Sequence, residues 1–429
     1  MDSILKTQNG HLQCGGADCI ELAREFGTPL YVFDELMIRA ACRDYKTSIE
    51  RYYDGNGMVL YASKAFSCKE IYRIANEEGI GVDVVSGGEM YTALSSGFPS
   101  EKIFFHGNNK TNAELQMAVD NNIGRIVIDD FDEIDRLSEI AENNNKTVFV
   151  MLRIKPGIDA HTHEFIKTGQ NDSKFGFTLE NGEAFMAAKK AAAKKYLKLV
   201  GFHCHIGSQI FSTEPFCLAA NVMANFISKV AKEIGYTVNE LNLGGGFGIR
   251  YTEKDDPIEY SEYMQKVSSQ LKYSCNELGI PVPKVYIEPG RSIVGPAGIT
   301  LYTVGSIKTI PDVRTYVAID GGMSDNPRYA LYGAEYEAVI ANKADEPRDF
   351  KATIAGKCCE SGDLIGEDIM IQKPAVNDIM AVLATGAYNY SMASNYNRLP
   401  RPAVVMVNNG KARVVIKRET FEDIVSKDI

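Results

Sequence analysis

What this chain lacks narrows it first. No apolar run approaches the roughly 20 residues of a membrane span, so no spanning helix is expected. The opening residues, MDSILKTQNG, show no basic stretch followed by an apolar one, so no secretory signal is expected either. A cationic excess is missing: 46 Lys and Arg stand against 56 Asp and Glu, for a net charge of −10. That argues against nucleic acid or an anionic membrane as a general partner, while a local basic pocket can still hold a phosphate. The nine cysteines contain no CxxC pair, and the adjacent Cys358–Cys359 is poor disulfide geometry. Reduced thiols in a reducing cytoplasm are the expectation. Short repeats and low-complexity stretches are absent as well.

What is present suits a large globular protein. The 429 residues, 45% apolar and 24% charged, are enough for more than one domain and a sizeable core. Up to about residue 289, short β-branched runs alternate with helical patterns. Strands are predicted at 58–62, 81–85, 102–105, 125–128, 147–154, 199–205, 240–243 and 284–287. Helical spacing occupies 70–76, 131–141 and 216–234, with Ile134, Leu137, Ile140 and Ala141 on one face of the second. Eight strands alternating with helices predict a (β/α)8 TIM-like barrel; a doubly wound open sheet shares the local pattern. Beyond Pro289 the runs 299–310, 313–320, 350–356, 379–384, 403–408 and 411–417 predict an all-β part, a sandwich or small barrel. Asn409–Gly410 reads as a hairpin turn. A strand at 31–33 is expected to pair with this second part. The fold class is therefore α/β plus all-β. Residues 34–288 form the barrel, and 1–33 with 289–429 form the β domain.

In such a barrel the chemistry lies at the C-terminal strand ends. Reading those ends yields Lys64, Asp83, His106, Asp129, Arg153, His203 with His205 and Ser208, Gly244–Gly248, and Glu288–Arg291. Any one of these can be a rim residue; eight together are hard to explain as packing. A lysine at a buried strand end is exposed, salt-bridged or uncharged, and a neutral amine attacks an aldehyde. The glycine run, Gly245 and Gly246 within it, fits neither GxGxxG nor GxxxxGK[ST], which disfavours dinucleotides and NTPs. Its backbone N–H groups suit a phosphate, particularly if a helix start follows, and Ser208 and Gly290 can add donors. Glu288 can hold a pyridine nitrogen protonated, making the ring an electron sink, or simply pair with Arg291. His203 and His205 face the same way, and an HxH pair also suits a metal-dependent hydrolase. His161 and His163 are the spare ligands for that alternative.

The motifs YASK (61–64), GVDVVSGGE (81–89), HGNNK (106–110), DSKFG (172–176), HCHIGSQI (203–210), EPGRSIVG (288–295), DGGMSDNPR (320–328), CCESGD (358–363) and TGAYNYSMASN (385–395) resemble, in order and over nearly the whole chain, the PLP-dependent decarboxylases with an alanine-racemase-like barrel. Among these they resemble the diaminopimelate decarboxylases. One departure is Tyr329, where many members carry proline.

The resemblance implies pyridoxal 5'-phosphate as cofactor and meso-2,6-diaminopimelate as substrate, with lysine and CO2 as products. It implies Lys64 as the Schiff-base lysine and His205 stacked on the cofactor ring. Ser208, Gly245, Gly246, Gly290 and Arg291 would sit on the phosphate, and Glu288 on the ring nitrogen. Cys359 would be the proton donor. Arg291, Arg328, Tyr332, Glu360 and Tyr388 would bind substrate, with Tyr388 also near the cofactor. Cys359, Glu360 and Tyr388 would come from the partner subunit of a homodimer. No metal is implied. Arginine forks suit the extra carboxylate that diaminopimelate has over ornithine or lysine, and Glu360 suits its ammonium. Decarboxylases of ornithine, arginine or carboxynorspermidine are the alternative. Asp83 and Arg153 are expected to act behind these groups, from strand position alone.

Overall fold

Eight short apolar strands pair in parallel and close on themselves: Gly57–Ala62, Gly81–Val84, Ile103–Phe105, Arg125–Ile128, Val148–Lys155, Leu197–Cys204, Glu240–Asn242 and Lys284–Ile287. The fourth strand pairs with the fifth and the eighth with the first, so no barrel edge is left open. That closure decides for the barrel over an open doubly wound sheet. Each strand lies within two residues of its predicted limits. The computed structural model describes residues 6–158 and 173–429. His161, His163 and Asp172 lie outside the described residues.

Helices follow the strands, each with its own sequence cause. Lys69–Glu77 buries Ile71, Tyr72, Ile74 and Ala75 on one face. Phe131–Asn143 starts at Asp130, whose carboxylate accepts from Glu133 N at 2.8 Å, satisfying a free helix N–H. Glu214–Ile234 carries a proline in its first turn and ends on Gly235 in the left-handed region.

The barrel interior is layered by the pleat. Leu60, Phe104, Val127, Met151 and Tyr286 form one buried apolar cluster. Side chains two residues apart face the same way, about 6.6 Å further along the strand. Two residues on from these five stand Ala62, His106, Asp129, Arg153 and Glu288. The polar layer is thus one pleat above the apolar one, at the C-terminal strand ends.

The chain divides into two compact units: 41–248 with 257–290, which holds the barrel, and 1–40, 249–256 and 291–429. In the second unit the sheet runs Leu364–Ile371, Phe350–Ala355, Arg314–Ile319, Gly298–Ile310, Leu30–Asp34, Ala403–Asn408 and Lys411–Ile416. Leu30–Asp34 pairs with Gly298–Ile310 and with Ala403–Asn408, as expected for 31–33. The long strand Gly298–Ile310 serves two cores by alternation. Ile299 and Leu301 enter one, Tyr302 and Val304 the other. Asn409 and Gly410 sit at φ 49° and 77° in the predicted hairpin. Strands that were not predicted include Lys6–Gln8, His11–Cys14 and Ala17–Asp18, together with Ala338–Ile340 and Leu364–Ile371. In the last, Gly366, Glu367 and Asp368 interrupt the alternation, and Asp368 adopts φ 55°. No helix among the described residues is long and apolar enough to cross a membrane.

Candidate active site

Glu288 is the hub of the polar layer. Its Oε1 accepts from Asn242 Nδ2 at 2.6 Å and lies 2.8 Å from His106 Nε2. Its Oε2 lies 3.2 Å from His203 Nε2. All four residues are buried. Burial alone would favour the neutral acid, but the two imidazoles hold the Glu288 carboxyl well below the ordinary range. His203 pays the reciprocal cost: burial pushes its imidazole down to about 3 despite Glu288. Asp83 is pushed up by burial and by the Glu288 charge, against His106, Lys64 and Arg153. Burial lowers the Arg153 guanidinium, opposed by Asp129, Glu288 and Asp83; its charge lies 4.2 Å from the Phe175 ring centre. Asp83 and Arg153 therefore do stand among the groups around Glu288.

Lys64 lies beyond the first strand, on the short 3-10 turn Ser63–Ala65. It is exposed, one of the options open to a lysine at a buried strand end, because this turn carries it out of the strand while Ser63 and Ala65 stay inside. Its charge is felt by Asp83, Glu89 and His205. Glu89 was not singled out from sequence. It accepts from Val85 N at 2.8 Å, and burial, with Asp83 adding, raises its carboxyl to about 7. His205 is half-buried, and burial with the Lys64 and Arg153 charges drives its imidazole well below the usual value.

The glycines are dictated by close backbone approach. A Cβ on Gly245 would stand 2.1 Å from Glu288 O, one on Gly246 2.4 Å from Gly207 O, and one on Gly290 2.9 Å from Ala62 Cβ. These positions lock the sixth, seventh, eighth and first strand ends together, leaving backbone rather than side chains at the rim. Ser208 is half-buried on the same rim. No helix starts directly after the glycine run, so the added N–H donors of a helix start are not supplied there. Phe247 instead bridges to Ile210, and the next helix begins at Tyr260.

In the second unit, Arg291 donates to the Tyr251 hydroxyl, and its guanidinium lies 4.8 Å from the Tyr388 ring centre. Arg328 donates to Tyr336 OH at 3.1 Å and lies 5.3 Å from the ring centres of both Tyr332 and Tyr388. The structure thus brings together Arg291, Arg328, Tyr332 and Tyr388, and adds Tyr251 and Tyr336. Cys359 and Glu360 lie on an exposed turn, where Cys359 N donates to Asn397 Oδ1 at 2.6 Å. Cys358 is buried, and burial with Asp363 pushes its thiol up, so the two adjacent cysteines are not equivalent.

The barrel end fits a polar heteroaromatic ring. Asp83 Oδ1, Asp129 Oδ1 and His203 Nδ1 are buried without a hydrogen bond among the described residues. Each such atom costs about 1–3 kcal/mol unless a bound group answers it. A lysine, a fixed carboxylate and a rim of backbone are the donor set for a pyridine aldehyde bearing a phosphate. The metal alternative rested on His203 with His205. The structure instead groups His203 with His106 and Glu288, their ligand atoms within 4.8 Å. That carboxylate is equally placed to face a protonated ring nitrogen.

Comparisons with known proteins separate the two. Residues 36–295 match the family model for the pyridoxal-binding domain of pyridoxal-dependent decarboxylases. The chain is 51% identical to the diaminopimelate decarboxylase of Bacillus subtilis, over 99% of this chain and 96% of that one. It is 52% identical to that of Bacillus methanolicus, over 96% and 95%. Among solved structures, the M. jannaschii diaminopimelate decarboxylase in complex with L-lysine superposes with a TM-score of 0.91 at 36% identity, covering 99% and 97%. A Vibrio vulnificus lysine/ornithine decarboxylase shares the fold, with a TM-score of 0.76 at 21% identity.

Proposed function

The chain belongs to the diaminopimelate decarboxylases within the pyridoxal-dependent decarboxylase family, and from that premise we propose that it removes CO2 from meso-2,6-diaminopimelate to leave L-lysine, the last step of lysine biosynthesis. The observation that carries this reading is Glu288, a carboxylate kept ionised inside the barrel by His106, His203 and Asn242. Pyridoxal 5'-phosphate, when bound, accepts the electron pair that CO2 leaves behind.

Lys64 Nζ would hold that cofactor covalently. Glu288 would pair with its ring nitrogen and His205 would lie on its ring. Ser208, Gly245, Gly246, Gly290 and the turn into Arg291 would hold its phosphate. Arg291 and Arg328 orient the amino-acid head that is not decarboxylated, through forked hydrogen bonds to its carboxylate. Tyr332 and Tyr388 wall that arm, and Glu360 faces its ammonium. Cys359 Sγ gives a proton to the α-carbon once CO2 has left.

The exposed turn of Cys359 and Glu360 supports their donation to the site of a partner subunit in a homodimer, whereas Tyr388 packs against Arg291 and Arg328 of its own chain. Segment 34–288 then carries the cofactor barrel and 1–33 with 289–429 the β domain, although 34–40 and 249–256 pack within the β-rich unit and 289–290 within the barrel unit. Nine free cysteines support a cytoplasmic setting.

The test is CO2 release from meso-diaminopimelate beside ornithine, arginine and lysine. Turnover of diaminopimelate at least about a hundredfold faster is expected, since buried polar groups left unpaired penalise a substrate lacking the second carboxylate. Preference for ornithine or arginine would overturn the reading.

A further inference from the structure

Arg328 sits on a helix that cannot hold itself. Arg328–Tyr332 has five residues and none of them is buried. A helix this short has no stability of its own, so its place depends on what ties it down. Its end is fixed by Gly333 in the left-handed region, with Gly333 N donating to Tyr329 O at 2.8 Å. Arg328 itself reaches Tyr336. One tie to the neighbouring sheet is Tyr329. Its hydroxyl donates to Glu367 Oε2 at 2.8 Å, and Glu367 Oε1 accepts in turn from Arg314 Nη1. Glu367 belongs to Leu364–Ile371, and Arg314 opens Arg314–Ile319. Arg314 and Tyr329 together hold the Glu367 carboxyl below its ordinary range, which keeps it an acceptor.

Tyr329 is also the position that departs from the resemblance. A proline there would preset φ near the helical value. Tyrosine does not, and a hydroxyl fixed to a charged acceptor supplies the restraint from the side chain instead.

We propose that Tyr329 is a positioning residue: through Glu367 and Arg314 it fixes the helix that aims Arg328, and so sets affinity for the distal carboxylate of the substrate. This rests on the role given to Arg328 above. Tyr329 touches no reacting atom, so its loss should weaken binding and leave the chemical step alone.

The experiment compares the wild-type holoenzyme with Tyr329→Phe, Glu367→Gln and the double variant. Each single variant should raise KM for diaminopimelate about three- to tenfold, the effect of losing one solvent-exposed hydrogen bond, with kcat within about twofold. Inhibition by L-lysine, which keeps the distal head, should weaken by the same factor. The double variant should be no worse than either single one. Hydrogen exchange at the amides of Leu331, Gly333 and Ala334 should quicken in Tyr329→Phe. Unchanged KM and unchanged exchange in a folded Tyr329→Phe would overturn the proposal. So would a fall in kcat equal to the rise in KM, or additive effects in the double variant. If wild type leaves diaminopimelate untouched, the failure belongs to the reading of function. Exchange at those amides then still decides whether Tyr329 holds the helix.

Discussion

The guanidinium of Arg291 lies 4.8 Å from the centre of the Tyr388 ring, and Arg328 lies 5.3 Å from the same ring. One aromatic ring thereby shares two cations that repel each other. Tyr388 does so at φ 71°, a backbone region unfavourable to a bulky side chain. Each cation–ring contact is worth about 0.5–2 kcal/mol. Tyr388→Ala should therefore raise KM for diaminopimelate roughly tenfold or more, while Tyr388→Phe, which keeps the ring, should stay within about threefold. Steady-state kinetics decide this; equal losses in both variants would move the role from the ring to the hydroxyl.

Glu288→Gln keeps an oxygen for Asn242 and removes the charge. With nothing anionic opposite the ring nitrogen, kcat should fall about 10²–10³-fold at equal cofactor content, the cost typical of losing one fixed electrostatic contact. Turnover and cofactor absorbance are measured on the same sample. A variant within tenfold of wild type would remove Glu288 from the mechanism.

His203 is folded neutral, with its imidazole lowered by burial, against Glu288, to about 3. Between its ordinary value and that one, the unfolded chain binds a proton here and the folded chain does not. Stability is therefore lost as pH falls from about 6.5 towards 3. His203→Gln should flatten the melting temperature against pH across that window, and calorimetry between pH 4 and 8 reads it. Glu89, raised to about 7 by burial, acts oppositely, losing stability as pH rises through that value.

Mixing inactive Lys64→Ala and Cys359→Ala proteins tests the shared site. Randomly exchanged dimers should regain roughly a quarter of wild-type activity, because one of the two sites in each mixed dimer is intact. Absence of recovery, with exchange shown by a size or tag difference, places Cys359 in its own subunit's site.

The barrel was legible because each strand is a short apolar run ending in a polar residue. Asp83, His106, Arg153, His203 and Glu288 could be named from those ends. Their partnerships could not. His106 meets Glu288 across the closed barrel, a neighbour relation created only by strand register and closure. Asn242 carried a faint signal, a polar residue inside the apolar run before Gly244, and it proved to be a donor to Glu288. The exposure of Lys64 was hidden because a turn, not the strand, decides it. Tyr251, Tyr336 and Asn397 had no local mark; Tyr251 and Asn397 matter through partners more than 30 residues away in the chain, and Tyr336 through Arg328 on the short helix before it.

The stacking of a charged pleat on an apolar one makes the barrel proofread its own assembly. A strand slipped by one residue would turn its terminal polar group outward against the helices. A slip of two would drive a charge such as Arg153 or Glu288 down among Phe104, Val127 and Met151, a burial that costs several kcal/mol per ion. The same residues that await the cofactor thus also reject misregistered strands before any cofactor arrives.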